Sequence, residues 1–119
     1  MRNWIAAFVV MLVSGCDTGP ERYSATGRWE GVEYKGTVRH TLILIEEDGE
    51  ITGTGTLTGP GGSSPVTVEG TNRANAIDLV VETESSPTRQ FAGRITSRSR
   101  MEGLLTWLGH STPMTLTRQ

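Results

Sequence analysis

The chain has 119 residues, with 11 Lys and Arg against 13 Asp and Glu and a formal net charge of −2. This mild acidity argues against a nucleic-acid-binding protein, which needs a basic surface. A single cysteine excludes an internal disulfide bond.

The N-terminus predicts a secretory signal peptide at residues 1–15. Arg2 is followed by an apolar run from Trp4 to Val13. That run has the length of a signal-peptide core and is too short to span a bilayer. A buried helix or strand of the fold is the alternative, but the processing site that follows favours the signal peptide.

That site resembles the lipobox of bacterial lipoproteins, in which an aliphatic and two small residues precede a cysteine: Val13-Ser14-Gly15-Cys16. The resemblance implies that the thiol of Cys16 receives diacylglycerol and that a peptidase cuts before Cys16. Lipidation would also explain why an exported protein has an unpaired cysteine. We therefore expect the cell envelope as location and a membrane as partner through the lipid anchor. Asp17 resembles an inner-membrane retention mark, but the choice between inner and outer membrane stays open.

Residues 17–26 are polar and contain Gly and Pro. We expect residues 16–26 to form the lipidated cysteine and a flexible tether, and residues 27–119 to form one domain. Arg2 is the only charged residue before Cys16, so ten positive and thirteen negative side chains remain, a charge of −3.

From residue 27 onward, polar and apolar residues alternate between turn signals, a pattern typical of an all-β protein. The short connections favour a single eight-stranded antiparallel up-and-down barrel. The clearest turn is Asp48-Gly49, a type I′ hairpin signal. The predicted strands are Arg28–Tyr34, His40–Glu46, Ile51–Thr58, Val66–Thr71, Ala76–Glu82, Gln90–Thr96, Met101–Trp107 and Met114–Arg118.

Every second residue of these strands contributes to one apolar face, which we expect to line the interior. Eight strands are about the number at which a barrel interior is just filled or holds one small ligand. Six glycines fall on this face, and they favour either tight coiling of the strands or an empty space for a ligand. They are Gly31, Gly53, Gly55, Gly70, Gly93 and Gly103.

The first and last strands carry a recognisable pair of motifs. Gly27-Arg28-Trp29 at the head of the first strand, with Arg118 ending the last, resembles the signature of calycins, the group of lipocalins, fatty-acid-binding proteins and avidins. The resemblance implies a barrel in which Trp29 plugs one end and Arg118 lies across its ring. Such a cation–π contact contributes about 0.5–2 kcal/mol. No ligand is carried over from the family, because fold does not fix function.

The predicted connections differ in length between the two ends of the barrel. The longer ones share one end, which we expect to be the binding mouth, since loops on a rigid scaffold tend to carry function. Both chain ends of the barrel lie at the other end, from which the tether leaves. The longer connections are Lys35–Arg39, Gly59–Pro65, Thr83–Arg89 and Leu108–Pro113, and the shorter are Glu47–Glu50, Asn72–Asn75 and Ser97–Arg100.

The sequence gives no pattern that predicts catalysis or metal binding. Its two histidines, His40 and His110, have no further ligands or oriented partner nearby in the predicted topology. We interpret both as solvated residues of the mouth. The chain is therefore expected not to be an enzyme and to need no metal or cofactor.

Two surface features allow more than one interpretation. Four arginines fall in one hairpin, Arg89, Arg94, Arg98 and Arg100, and they are either lipid-headgroup contacts or ordinary surface charges paired with Glu. Ile43 and Ile45 should point outward, where they form a partner interface or are covered by the tether or by long side chains.

The leading functional hypothesis is a membrane-tethered barrel that binds a small apolar or amphipathic ligand in its interior. The alternative is a protein-binding module, such as an envelope inhibitor of a protease or lysozyme, that acts through loops and rim. An assembly role for the wall carrying Ile43 and Ile45 is a third possibility. Candidate ligand-lining residues are Phe91, Met101, Leu105, Trp107 and Met114, with Trp107 nearest the mouth.

Overall fold

A computed structural model describes residues 21–33, 36–84 and 86–119 of the chain. The predicted signal peptide, Cys16 and the tether up to residue 20 lie outside the described residues, as does Tyr34 of the first predicted strand. Over the described ranges, no helix is long and apolar enough to cross a membrane. The strands are β1 Gly27–Glu33, β2 Val38–Glu47, β3 Glu50–Gly59, β4 Gly62–Arg73, β5 Ala76–Thr83, β6 Ser86–Ser97, β7 Arg100–Trp107 and β8 His110–Arg118.

The predicted eight-stranded up-and-down barrel is confirmed. Each strand pairs antiparallel with the next, and β8 pairs with β1 to close the barrel. Three residue pairs close the β1–β8 seam, from Trp29 opposite Arg118 to Gly31 opposite Leu116. This architecture is compatible with the calycin-like fold that the sequence resembles.

The alternation of side chains sorts residues into an interior and an outer wall. The predicted inward apolar residues are all buried and form one cluster, with Ala25 as an additional member. Burying each of the larger side chains contributes about 1.5–3 kcal/mol. The members are Ala25, Trp29, Leu42, Leu44, Ile51, Leu57, Val66, Val68, Ile77, Leu79, Val81, Phe91, Ile95, Met101, Leu105, Met114 and Leu116.

The inward glycines permit close approach of neighbouring strands. Gly93 of β6 lies directly opposite Gly103 of β7. A Cβ atom added to Gly103 would lie 2.6 Å from the Cα of Gly93, and one added to Gly93 would lie 2.7 Å from the Cα of Gly103. Both distances are shorter than real Cβ contacts allow, so tight coiling of the strands explains these glycines and no ligand space is needed.

We name the two ends of the barrel by their connections. The distal end carries the β1–β2, β3–β4, β5–β6 and β7–β8 connections, and the proximal end carries the other three together with the start of β1 and the end of β8. At the proximal end, Asp48 and Gly49 have φ values of 53° and 82°. Both signs are those of the predicted type I′ turn.

The expectation of long distal loops is wrong. The β3–β4 connection is only Pro60-Gly61, and the β7–β8 connection is only Leu108-Gly109. The predicted loop residues Pro65 and Pro113 lie within ladders, opposite Thr56 and Leu104 respectively. These strand segments extend past the apolar core, so they are polar or contain Pro and lose the alternation by which strands are predicted. The distal end is therefore formed by protruding hairpins.

Candidate functional site

The proximal end is closed by Trp29. Its side chain is completely buried, and its indole Nε1–H donates to the carbonyl of Ala25 at 2.8 Å. The guanidinium carbon of Arg118 lies 4.5 Å from the Trp29 ring centroid, within the range of a cation–π contact. The same guanidinium donates to the carbonyls of Ser24 at 2.8 Å and Arg98 at 2.6 Å, and also to that of Thr26.

Residues 21–26, the last six of the predicted tether, lie against this end of the barrel and are called the strap below. Asn75 accepts from the Tyr23 amide at 2.9 Å and donates to the Glu21 carbonyl at 2.6 Å. Asn72 donates to the Tyr23 carbonyl at 2.9 Å, and Glu46 accepts from the Ala25 amide at 2.8 Å. Because three barrel side chains satisfy its backbone groups, the strap belongs structurally to the barrel.

At the distal end, three ionisable side chains converge inside the barrel. Glu33 is at the end of β1, His40 near the start of β2 and Arg89 in β6. Glu33 and His40 are completely buried, and the Arg89 side chain is 9% exposed. Each lies two positions from an inward-facing residue of its own strand. The two-residue period of a strand therefore directs its side chain into the barrel even though it is polar.

The expectation that His40 is solvated is therefore wrong, while His110 is exposed as expected. His40 continues the inward series of Leu42 and Leu44. The same test, a polar residue in step with an apolar series, would have identified Glu33 and Arg89. Their contact joins residues 56 positions apart, which no local pattern shows.

The carboxylate of Glu33 holds this cluster together with one of its two oxygens. Glu33 Oε2 accepts from Arg89 Nε at 3.0 Å and contacts His40 Nε2. Among the described residues, neither Glu33 Oε1 nor His40 Nδ1 has a hydrogen-bond partner. Two enclosed polar atoms thus have no partner among these residues, which is costly in a protein interior.

An aromatic residue covers the cluster on the distal side. The Arg89 guanidinium carbon lies 5.2 Å from the ring centroid of Trp107, and the Trp107 and His110 ring centroids are 6.1 Å apart. The cleft that opens here has a volume of about 570 Å³, within the usual range for ligand sites of about 300–1,000 Å³. We call it the distal cleft; its lining residues are Glu33, Val38, Arg89, Trp107, Leu108, His110, Ser111 and Thr112.

The structure separates the predicted ligand-lining residues into two groups. Trp107 lines the distal cleft, and it is partly buried and packs against the core. The other four lie within the core cluster and do not line this cleft: Phe91, Met101, Leu105 and Met114. The cleft is therefore at the rim of the barrel, where polar and apolar groups meet, and not in the interior.

The outer wall presents a second, wider groove. It follows the β1–β8 seam and has a volume of about 800 Å³. Val32 and Leu104 expose apolar surface along it, while Ile43 and Ile45 are each 53% exposed on the neighbouring wall. Since such exposed apolar groups often mark contacts with a partner, this wall keeps the protein-binding alternative open.

The arginines of the β6–β7 hairpin have different surroundings. Arg100 pairs with Glu102, and Arg94 donates to the Ala74 carbonyl at 3.4 Å. Arg98 is exposed at the turn.

Among the described residues, no group of three or more His, Cys, Asp or Glu side chains is placed to hold a metal ion.

Leu108 at the distal cleft is in a backbone conformation that leucine rarely adopts. Its φ is 50°, followed by 80° at Gly109, and its side chain is 74% exposed. Left-handed backbone costs an ordinary residue about 1–2 kcal/mol, and Asn is the usual first residue of a type I′ turn. An exposed leucine in this conformation does not contribute to folding in any way that the described contacts explain.

We expect Leu108→Asn to raise the free energy of unfolding by about 1 kcal/mol, because Asn tolerates the left-handed conformation. For a domain of this size the melting temperature should rise by about 4–8 °C, measured by circular dichroism. Leu104→Asn is the control, since Leu104 is exposed in a regular strand. Equal melting temperatures for Leu108→Asn and the unchanged protein would contradict this account of the turn.

No protein-family model matches the chain, and a search of curated proteins finds no significant similarity.

Proposed function

We propose that the protein is a bacterial lipoprotein of the cell envelope, anchored through acyl chains on Cys16 and carrying a calycin-like barrel. Support comes from the apolar run at residues 4–13, the lipobox-like motif and the single cysteine of the chain. The contact between Trp29 and Arg118 agrees with the calycin signature. Two or three acyl chains give stable anchoring, which one chain alone does not.

With Cys16→Ala we expect the protein to lose its acyl mass and to leave the membrane fraction. Intact-mass measurement and membrane extraction of the full chain in a bacterial host test this. Ser14→Ala is the control, because it keeps a small residue in the motif. Unchanged membrane extraction of Cys16→Ala would rule out this anchor.

We propose further that the barrel is a non-enzymatic binding module, and that its ligand is a small amphipathic molecule held at the distal cleft. The observation that carries this proposal is the buried cluster of Glu33, His40 and Arg89 beneath the cleft, in which two enclosed polar atoms have no partner among the described residues. Buried charged clusters contribute little to stability compared with apolar packing of the same volume. Because apolar side chains of similar volume often serve folding equally well, a role in recognition is the better explanation of the cluster.

The walls of the cleft fit an amphipathic molecule. Trp107, Leu108 and Val38 offer apolar surface, while Arg89 and the hydroxyls of the β8 segment offer polar groups at the rim. An apolar portion would pack on Trp107, and a polar portion would reach Arg89 and Glu33. The proposed ligand therefore binds at the rim, whereas the sequence alone predicted binding in the interior.

Native mass spectrometry of the full lipidated chain, purified from its own host in mild detergent, tests the proposal. We expect a retained extra mass of a few hundred daltons, on the order of drug-sized ligands. Arg89→Gln should lose that mass, and Arg94→Gln, an exposed arginine of the same strand, should keep it. A clean mass for the unchanged protein would overturn the small-ligand proposal.

A second candidate function is supported by Leu108. Its exposure and left-handed backbone suit a hairpin tip that inserts into a pocket of another envelope protein, such as a hydrolase that the barrel inhibits. Under this alternative, the same spectra show a complex larger by a whole protein, and Leu108→Asp abolishes it.

A further inference from the structure

The strap determines how far the barrel lies from the anchoring cysteine. Asn75, Asn72 and Glu46 bind its backbone, beginning at the carbonyl of Glu21. Only the five peptide units between Cys16 and Glu21 then remain to span the gap to the lipid. At about 3.3–3.6 Å per residue they reach at most about 18 Å. Without the strap, the chain from Cys16 to Gly27 would reach about twice as far.

The strap lies at the proximal end of the barrel. Its residues Arg22 and Tyr23 line a polar depression beside the proximal turns, together with Asp48, Arg73 and Asn75. The distal cleft is at the opposite end of the strands, which at about 3.3 Å per residue and a barrel tilt near 40° extend for roughly 25 Å.

From this geometry we infer that the proximal end is an interaction surface whose partner is the lipid bilayer. The strap holds the barrel upright, which means that the barrel axis is perpendicular to the membrane and the distal cleft faces away from it. The inference rests on the proposed lipid anchor at Cys16. The side chains at this end are polar and charged, among them Arg22, Arg73 and Arg98, as befits a surface beside lipid headgroups. Because the acids Glu47, Asp48 and Glu50 share the same end, proximity here comes from the short tether and not from net charge.

Energy transfer on vesicles tests this orientation. The full lipidated chain is reconstituted into phosphatidylcholine vesicles that contain a headgroup-labelled acceptor lipid. A donor dye is placed on Ser99→Cys at the proximal β6–β7 turn or on Gly61→Cys at the distal β3–β4 turn, where an added Cβ meets no atom within 4 Å. Since the thiol of Cys16 is acylated, each variant has one reactive cysteine.

We expect the Ser99 donor to lie within about 20 Å of the lipid surface and the Gly61 donor about 25 Å farther out. The double variant Asn72→Ala, Asn75→Ala should move the Ser99 donor outward by up to about 10 Å, because residues 21–23 are released while residues 24–26 stay bonded to Glu46 and Arg118. Thr58→Ala is the matched control, since it removes a hydroxyl hydrogen bond of 3.0 Å to Ser63 at the distal end.

An insertion of six Gly and Ser residues after Pro20 lengthens the tether without changing a strap contact, and it should move the Ser99 donor outward by up to about 20 Å. Equal transfer from both donors would overturn the upright orientation. If the distance from the Ser99 donor to the lipid surface does not respond to the insertion, the short tether does not set the position of the barrel and the inference is wrong. Absence of transfer from either donor, with protein free in solution, would instead show that the anchor itself fails.

Discussion

Replacing Trp29 with Ala is expected to lower the free energy of unfolding by about 3–5 kcal/mol, the usual cost of removing a buried tryptophan side chain. Trp29 is completely buried at the proximal end of the core. Its loss leaves a cavity there, removes the hydrogen bond to Ala25 and deprives Arg118 of its aromatic partner. Urea unfolding followed by circular dichroism measures the change.

Trp29→Phe is the control for packing. Phenylalanine retains an aromatic ring for Arg118 but has no N–H for the Ala25 carbonyl, so we expect a loss dominated by one hydrogen bond, about 1 kcal/mol, and by the smaller ring. If Trp29→Ala costs no more than Trp29→Phe, the plug contributes little by packing and this view of the proximal end is wrong.

The second large effect concerns the buried cluster. Glu33→Leu should lower the free energy of unfolding by about 3–5 kcal/mol, because it leaves the buried guanidinium of Arg89 and the ring of His40 without their shared acceptor. Replacing all three together, with Glu33→Leu, His40→Leu and Arg89→Met, should restore stability to near that of the unchanged protein. Apolar side chains of similar volume often match or exceed a buried charged cluster.

The comparison between these variants separates folding from function. The triple variant is expected to be stable and to lose the mass of the ligand bound at the distal cleft. Glu102→Gln is the surface control: its pair with Arg100 is half exposed, and such pairs contribute less than about 1 kcal/mol. A triple variant as unstable as Glu33→Leu would mean that the cluster is structural, which would remove the main support for the proposed ligand site.

The proximal and distal ends of the barrel have different physical characters. The proximal end is filled by Trp29 and closed by the strap. The backbone groups of the strap are bonded to Asn72, Asn75 and Glu46. The distal end combines protruding hairpins with two enclosed polar atoms that have no partner among the described residues. Closed packing at one end and polar groups beneath a cleft at the other are an arrangement suited to binding.

The sequence by itself determined the interior. A two-residue rhythm places alternate side chains on one face, so the buried positions of β1 to β8 follow from counting, as Leu42, Leu44 and Phe91 illustrate. Asp48-Gly49 defined its hairpin because both residues tolerate positive φ. The positions of Trp29 and Arg118 at the two ends of a closed meander brought them to adjacent strands.

Only the tertiary structure determined how far the strands extend along the barrel axis and which residues meet at its two ends. Periodicity tells which face a residue occupies, but it does not tell how far a ladder continues beyond the core, so the polar ends of β4 and β8 resembled loops. The contacts of Glu33 with Arg89 and of Asn75 with Glu21 join residues more than fifty positions apart, and they exist because closure of the sheet brings β1 and the strap before it close to β6 and to the β4–β5 turn. Hydrogen bonds of this kind depend on three-dimensional proximity, which no local sequence pattern records.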